Sequence, residues 1–128
     1  MFRPDLAVGI GMRSGVESRA IVNAARDVAG EAKIGCLATV NLRAEEPGLI
    51  AAAAELGVPV RVFTATDLAG MAVPNPSIRV AAAIGTPSVA EAAALLAAGC
   101  ERLLAEKRVI GGVTVAVAVI RTRARRLA

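Results

Sequence analysis

Three times along this 128-residue chain an apolar run breaks at a loop of glycine, charged or hydroxyl residues and passes into an alanine-rich segment. The runs are short and rich in valine, leucine and isoleucine, whereas the following segments repeat apolar residues at three and four positions. Strand, loop, helix is the order this imposes, and such units assemble as a sheet with helices on its faces. The first run, Leu6 to Ile10, enters Gly9-Ile10-Gly11-Met12-Arg13-Ser14-Gly15. Ser14-Gly15-Val16-Glu17 then reads as a capping box, with the serine bonding the amide three residues on. Val16, Ala20, Ile21, Ala24 and Val28 mark one helical face, and Gly30 supplies the stop.

Ile34 to Val40 is the second expected strand, and Arg43-Ala44-Glu45-Glu46-Pro47 places acidic residues and proline at the next helix start. Leu49, Ile50, Ala53, Ala54 and Leu56 form its expected buried face, closed by Gly57. A third strand covers Val58 to Phe63, with Pro59 tolerable only near its beginning. Thr64 and Asp67 suggest a short capped turn, Val73-Pro74-Asn75-Pro76-Ser77 a loop, and Ser77 to Ala83 a short helix. Gly85-Thr86-Pro87-Ser88 opens a helix to Ala98, with Thr86 and Ser88 both eligible as its cap, and Gly99 closes it. Arg102 to Val109 and Val113 to Ile120 read as a hairpin through Gly111-Gly112. Its second arm alternates valine with Thr114, Ala116 and Ala118, which suits a covered central strand. The expectation is one α/β domain over residues 1–121, three layers (α/β/α) with a mixed sheet ending in a C-terminal β-hairpin. A mobile Arg-rich tail, 122–128, follows.

Composition removes several classes of function. The net charge is +4, yet without Arg121, Arg123, Arg125 and Arg126 the rest holds 11 basic and 11 acidic residues. Basicity is a tail, not a face, and aromatic residues are only 2%, so nucleic-acid binding is not expected. Histidine is absent, and Cys36 and Cys100 form no C-x-x-C pair, which argues against a zinc site or a Cys–His nucleophile. Both cysteines read as free buried thiols of a reducing compartment. Val109 to Ile120 falls short of the ~20 residues of a membrane span, and Pro87 and Glu91 interrupt Val80 to Ala98. A soluble, cytoplasmic protein without membrane partners is expected.

Three loops carry the candidate chemistry. Gly9–Gly15 offers amides at a helix start, with Arg13 as a charged fork, and an anion is the expected guest. Its G-x-G-x-x-x-G spacing misses the dinucleotide fingerprint by one residue; a tight turn needing positive φ is the plainer reading. Glu45 and Glu46 beside Arg43 offer general acid–base chemistry, or simply complement a helix dipole. In Gly85-Thr86-Pro87-Ser88-Val89-Ala90-Glu91, Ser88 has no histidine as its base, so its hydroxyl and the nearby amides suit a carboxylate or phosphate, or plain capping. All three follow strands and open helices, so they should share the rim where α/β sheets hold ligands. Such a rim would fit a large ligand bearing several carboxylates; a generic phosphate-ligand domain is the simpler alternative.

Gly9-Ile10-Gly11-Met12-Arg13-Ser14-Gly15, Arg43-Ala44-Glu45-Glu46-Pro47-Gly48-Leu49, Val73-Pro74-Asn75-Pro76-Ser77 and Gly85-Thr86-Pro87-Ser88-Val89-Ala90-Glu91 together resemble the CobE / CbiG C-terminal family of cobalamin biosynthesis. The motifs keep the family's order across about residues 6 to 120. The resemblance implies a cytoplasmic protein of corrin-ring assembly that binds a precorrin or corrinoid intermediate, with other cobalamin-pathway enzymes as protein partners. The length favours the stand-alone CobE kind, of the aerobic route. The alternative is the lactone-opening hydrolysis of CbiG, cobalt-precorrin-5A hydrolase, which releases a two-carbon aldehyde. On this reading Gly9, Gly11, Met12, Arg13, Ser14, Gly15, Arg43, Asn75, Ser77, Gly85, Thr86, Ser88 and Glu91 bind substrate, and Glu45 and Glu46 are catalytic candidates. No cofactor is expected, and any metal arrives with the substrate. Arg43 and Glu45 stand where the family commonly carries lysine and aspartate, and an arginine does not serve as a titrating amine.

Overall fold

The computed structural model describes residues 5–71, 73 and 88–120. Within them five strands, β1 (Asp5–Gly11), β2 (Lys33–Val40), β3 (Val60–Phe63), β4 (Ala105–Ile110) and β5 (Val113–Val119), form one sheet in the order β3-β2-β1-β5-β4. β1, β2 and β3 are parallel, β5 is antiparallel to β1, and β4 is antiparallel to β5. Helices α1 (Ser18–Ala29) and α2 (Pro47–Leu56) pack on one face, α3 (Ala65–Ala69) and α4 (Ser88–Ala98) on the other. The expected three-layer mixed sheet is the one observed.

Strand alternation gives the two faces different textures. Leu6, Val8 and Ile10 of β1, Leu37 of β2 and Val113, Val115 and Val117 of β5 pack with Ile21, Val22 and Leu49 of the helices above them. The opposite face is small: Ala7, Cys36, Ala38, Ala116 and Ala118 meet Val89, Ala90, Ala93 and Ala94 of α4. With so little side-chain volume between them, the helix lies close to the sheet. A Cβ added to Gly9 would overlap the Ala90 carbonyl oxygen and come within 2.8 Å of the Ala94 nitrogen. Gly9 is therefore a packing glycine under α4.

The helix and strand ends differ from expectation in instructive places. α1 starts at Ser18 with Glu17 as N-cap, still extended at φ −77 and ψ 149, and no side chain caps it. The expected Ser14 capping box does not form, because the turn around Gly15 is tied to another part of the chain. Ile21 and Ala24 are buried as expected, joined by Val22, Ala25 and Ala29, while Val16, Ala20 and Val28 are only partly covered. On α2, Leu49, Ala52 and Ala53 are buried and Leu56 partly so, but Ile50 is 53% exposed and Ala54 is exposed too, since this helix packs chiefly against α1 and has only a narrow inward stripe. Thr64 and Asp67 form the reciprocal capping box at the start of α3. Gly30, Gly57 and Gly99 follow the helices they were expected to end. Gly111 and Gly112, at φ 60 and 85, make the hairpin turn that few other residue pairs could adopt. The proposed helix from Ser77 to Ala83 and the Arg-rich tail lie outside the described residues.

Cys36 and Cys100 are free. Burial pushes the Cys36 thiol above its ordinary value, with the nearby Arg61 charge pulling the other way. A thiol that keeps its proton in the fold but loses it when unfolded costs stability as pH rises past the ordinary thiol value. Ellman's reagent at pH 8 should therefore label half-buried Cys100 in the native protein and reach Cys36 only after denaturation; equal labelling rates would contradict the packing of β2 beneath α4.

Candidate functional site

β1 and β2 are parallel neighbours, so the turns after them leave the same carboxyl end of the sheet. Thr39 closes that end, its buried hydroxyl donating to the Ile10 carbonyl at 2.7 Å just past the last paired residues. β4 points the same way as β1 and follows shortly after α4, so α4 descends from this end, where Ser88 opens it. In backbone terms, the turns after β1 and β2 and the start of α4 share one rim.

Two of them are joined directly. Arg43, in the 3₁₀ turn Asn41–Arg43, donates from Nε to the Met12 carbonyl at 3.1 Å. The Gly15 amide donates to Glu46 Oε1 at 2.9 Å. Gly48, in the first turn of α2, has no room for a Cβ: one would overlap the Val16 carbonyl oxygen. Residues 43–48 thus hold residues 12–16 at three points. The Gly15 amide, and then the Ser14 hydroxyl, hold the Glu46 carboxyl below its ordinary value of 4.5, assisted by the Arg43 charge and opposed by slight burial.

A carboxylate depressed in this way stabilises the fold above its ordinary pKa and loses that contribution as pH falls through the lowered one. The melting-temperature gap between the wild-type chain and Glu46→Gln should therefore be present at pH 7 and shrink as pH falls below 4.5. A gap independent of pH would mean that the charge contributes nothing.

Beside the joined turns a surface hollow of about 530 Å³ lies between the starts of α1 and α2, lined by residues 15–19, 46–48 and Ala51. Glu17, Arg19 and Glu46 are the charged residues of its lining, and the Gly15 amide already serves the Glu46 carboxylate. At the first helix start, where an anion was the expected guest, one of the donors, the Gly15 amide, is thus engaged within the protein.

Of the candidate residues, Arg13, Ser14, Gly15 and Glu45 are exposed on this rim, and Arg43 and Glu46 lie partly covered between the turns. Gly11 ends β1, paired with Thr114. Met12 belongs with its side chain to the core under α1 and α2, so only its backbone faces the rim. Glu91 is fully buried and accepts the Lys107 amide at 3.0 Å, where the β4–β5 register shifts, so it supports β4. Asn75, Ser77, Gly85 and Thr86, and the Ser88 side chain, lie outside the described residues. Reading the sequence missed Gly48 and Thr39. A glycine one residue inside a helix start was the available signal for the first, because it weakens the helix unless something approaches closely. Thr39 carried none, being one more β-branched strand residue.

Among the described residues no helix is long and apolar enough to cross a membrane. The family described as Cobalamin synthesis G C-terminus matches residues 6–118. The chain is 29% identical over 126 residues to a cobalt-precorrin-5A hydrolase from Priestia megaterium, covering 94% of this chain and 34% of that protein. It is 31% identical over 112 residues to Protein CobE from Sinorhizobium sp, covering 82% of this chain and 73% of the relative. It thus spans about a third of the hydrolase. Among solved structures, a cobalamin biosynthesis protein chiG from Agrobacterium tumefaciens strain C58 superposes with a TM-score of 0.70 at 38% identity, over 91% of this chain and 99% of that one. CobE of the cobalamin (vitamin B12) biosynthetic pathway gives 0.72 at 30% identity, over 94% of each chain. The paired turns, the mixed sheet and these similarities run along the same stretch of residues, and the chain belongs to the cobalamin synthesis G C-terminus family, the CobE/CbiG C-terminal domain of cobalamin biosynthesis.

Proposed function

We propose that this chain binds a precorrin or corrinoid intermediate of corrin-ring assembly at the carboxyl-end rim, in a CobE-like binding or accessory role. The observation that supports this most is the union of the two turns there, with Arg13 standing exposed on the joined surface. Such intermediates carry acetate and propionate arms around an apolar ring, and an exposed guanidinium matches a carboxylate as a fork. Other enzymes of the pathway are the partners this role implies, and the cytoplasm is its compartment. Titrating the full chain with hydrogenobyrinate should shift the visible absorbance and give co-elution on gel filtration. No shift and no co-elution would overturn the reading.

A second reading, lactone opening, draws on the similarity to the Priestia hydrolase along nearly the whole of this chain. Glu45 then activates the water, since Glu46 is engaged by the Gly15 amide. Aldehyde release from the precorrin lactone, lost in Glu45→Gln, would establish it; no release from the wild-type chain would remove it.

A further inference from the structure

The two residue types that looked most chemical in the sequence, an arginine and a glutamate three apart, are both spent on backbone groups of a different loop. Arg43 takes the Met12 carbonyl and Glu46 the Gly15 amide, at 3.1 and 2.9 Å. Between those two ties sit only Arg13 and Ser14, both exposed, and just beyond them the Val16 backbone rests against Gly48. Met12 is anchored further by its side chain in the core. The turn is therefore fixed on each side of Arg13, whose own side chain reaches into solvent. We infer that Arg43 and Glu46 are positioning residues that brace the turn from below, and that Arg13 is the residue they present to an anionic arm of the ligand.

This inference rests on the rim being the corrinoid site, and it deepens that reading by dividing the labour within it. Glu46 then acts as a hydrogen-bond acceptor, not as a base. A glutamine keeps an acceptor oxygen in the same place, while an alanine does not. If losing the tie leaves the turn in its binding-competent form only about a tenth of the time, apparent affinity falls about tenfold. Arg13 loses its value in the same event, so the two effects must overlap.

The test uses the full chain with hydrogenobyrinate as probe, followed by absorbance, and the variants Glu46→Gln, Glu46→Ala, Arg13→Met and the double variant Arg13→Met/Glu46→Ala. Glu46→Gln should bind within about twofold of wild type, Glu46→Ala about tenfold more weakly, and the double variant no worse than Arg13→Met alone. Equal losses in Glu46→Gln and Glu46→Ala, or losses that multiply in the double variant, would overturn the inference. Amide hydrogen exchange gives a readout independent of the ligand. The Gly15 amide should be protected in wild type and Glu46→Gln and exchange about tenfold faster or more in Glu46→Ala. Unchanged exchange overturns the bracing whatever the titration gives, whereas protected exchange with no binding by the wild-type chain overturns the corrinoid reading and leaves the brace standing.

Discussion

Gly9→Ala should destabilise the protein by about 3 kcal/mol, although a strand interior ordinarily gains about 0.5–1 kcal/mol from the same change. The added methyl would overlap the Ala90 carbonyl oxygen and crowd the Ala94 nitrogen, both backbone atoms of α4. No rotamer change relieves a backbone clash. α4 has to lift off β1, and in doing so it loses contact with Ala7, Ala38, Ala116 and Ala118 on the small face of the sheet. Each of those alanines gives little area alone, so close approach is what makes the layer cohere. Against a typical stability of about 5–15 kcal/mol the loss is large, and urea midpoints would report it. A change below about 1 kcal/mol would show that α4 rides higher than described.

Gly48→Ala is the corresponding test at the rim. Helix propensity alone favours alanine by about 1 kcal/mol. The structure reverses the sign, because the new Cβ would overlap the Val16 carbonyl oxygen and stand 3.3 Å from the Ser18 nitrogen. α2 and the turn before α1 must separate, stretching the Gly15–Glu46 and Met12–Arg43 bonds together. A net loss of about 2 kcal/mol is expected, with hydrogenobyrinate binding weakened about tenfold as the turn loosens. Thermal melts and absorbance titration report the two effects separately. Stabilisation by about 1 kcal/mol would mean that the turns do not touch at Val16.

Much of the fold was legible because its signals are local. The valines of β5 alternate with alanines at the strand period, and Val113, Val115 and Val117 fall on one face as that period requires. Thr64 and Asp67 carry their capping box within four residues, with no competing partner. Ser14 carries the same local pattern with Glu17, but Ser14 and Gly15 find a better acceptor in Glu46, 31 residues beyond Gly15. A sequence pattern four residues long cannot register that competition. Gly9 raises a different difficulty. A glycine that lets a helix approach and a glycine that lets a ligand approach are the same residue, and only the neighbour tells them apart. Glu91 could have been read differently, since Ala90 and Ala92 to Ala94 surround it on a helix apolar nearly all round, which marks a covered position. Chain order placed the Gly11–Gly15 and Asn41–Pro47 turns after strands, but their convergence needed the parallel pairing of β1 with β2, which the structure supplies.

The most direct test is an amide chemical-shift map of the full labelled chain as hydrogenobyrinate is added. Shifts gathered on residues 11–16 and 41–48, absent from Arg13→Met, are the predicted result. Shifts centred on the opposite end of the sheet, around Gly30–Lys33 and Gly99–Leu104, would contradict the account.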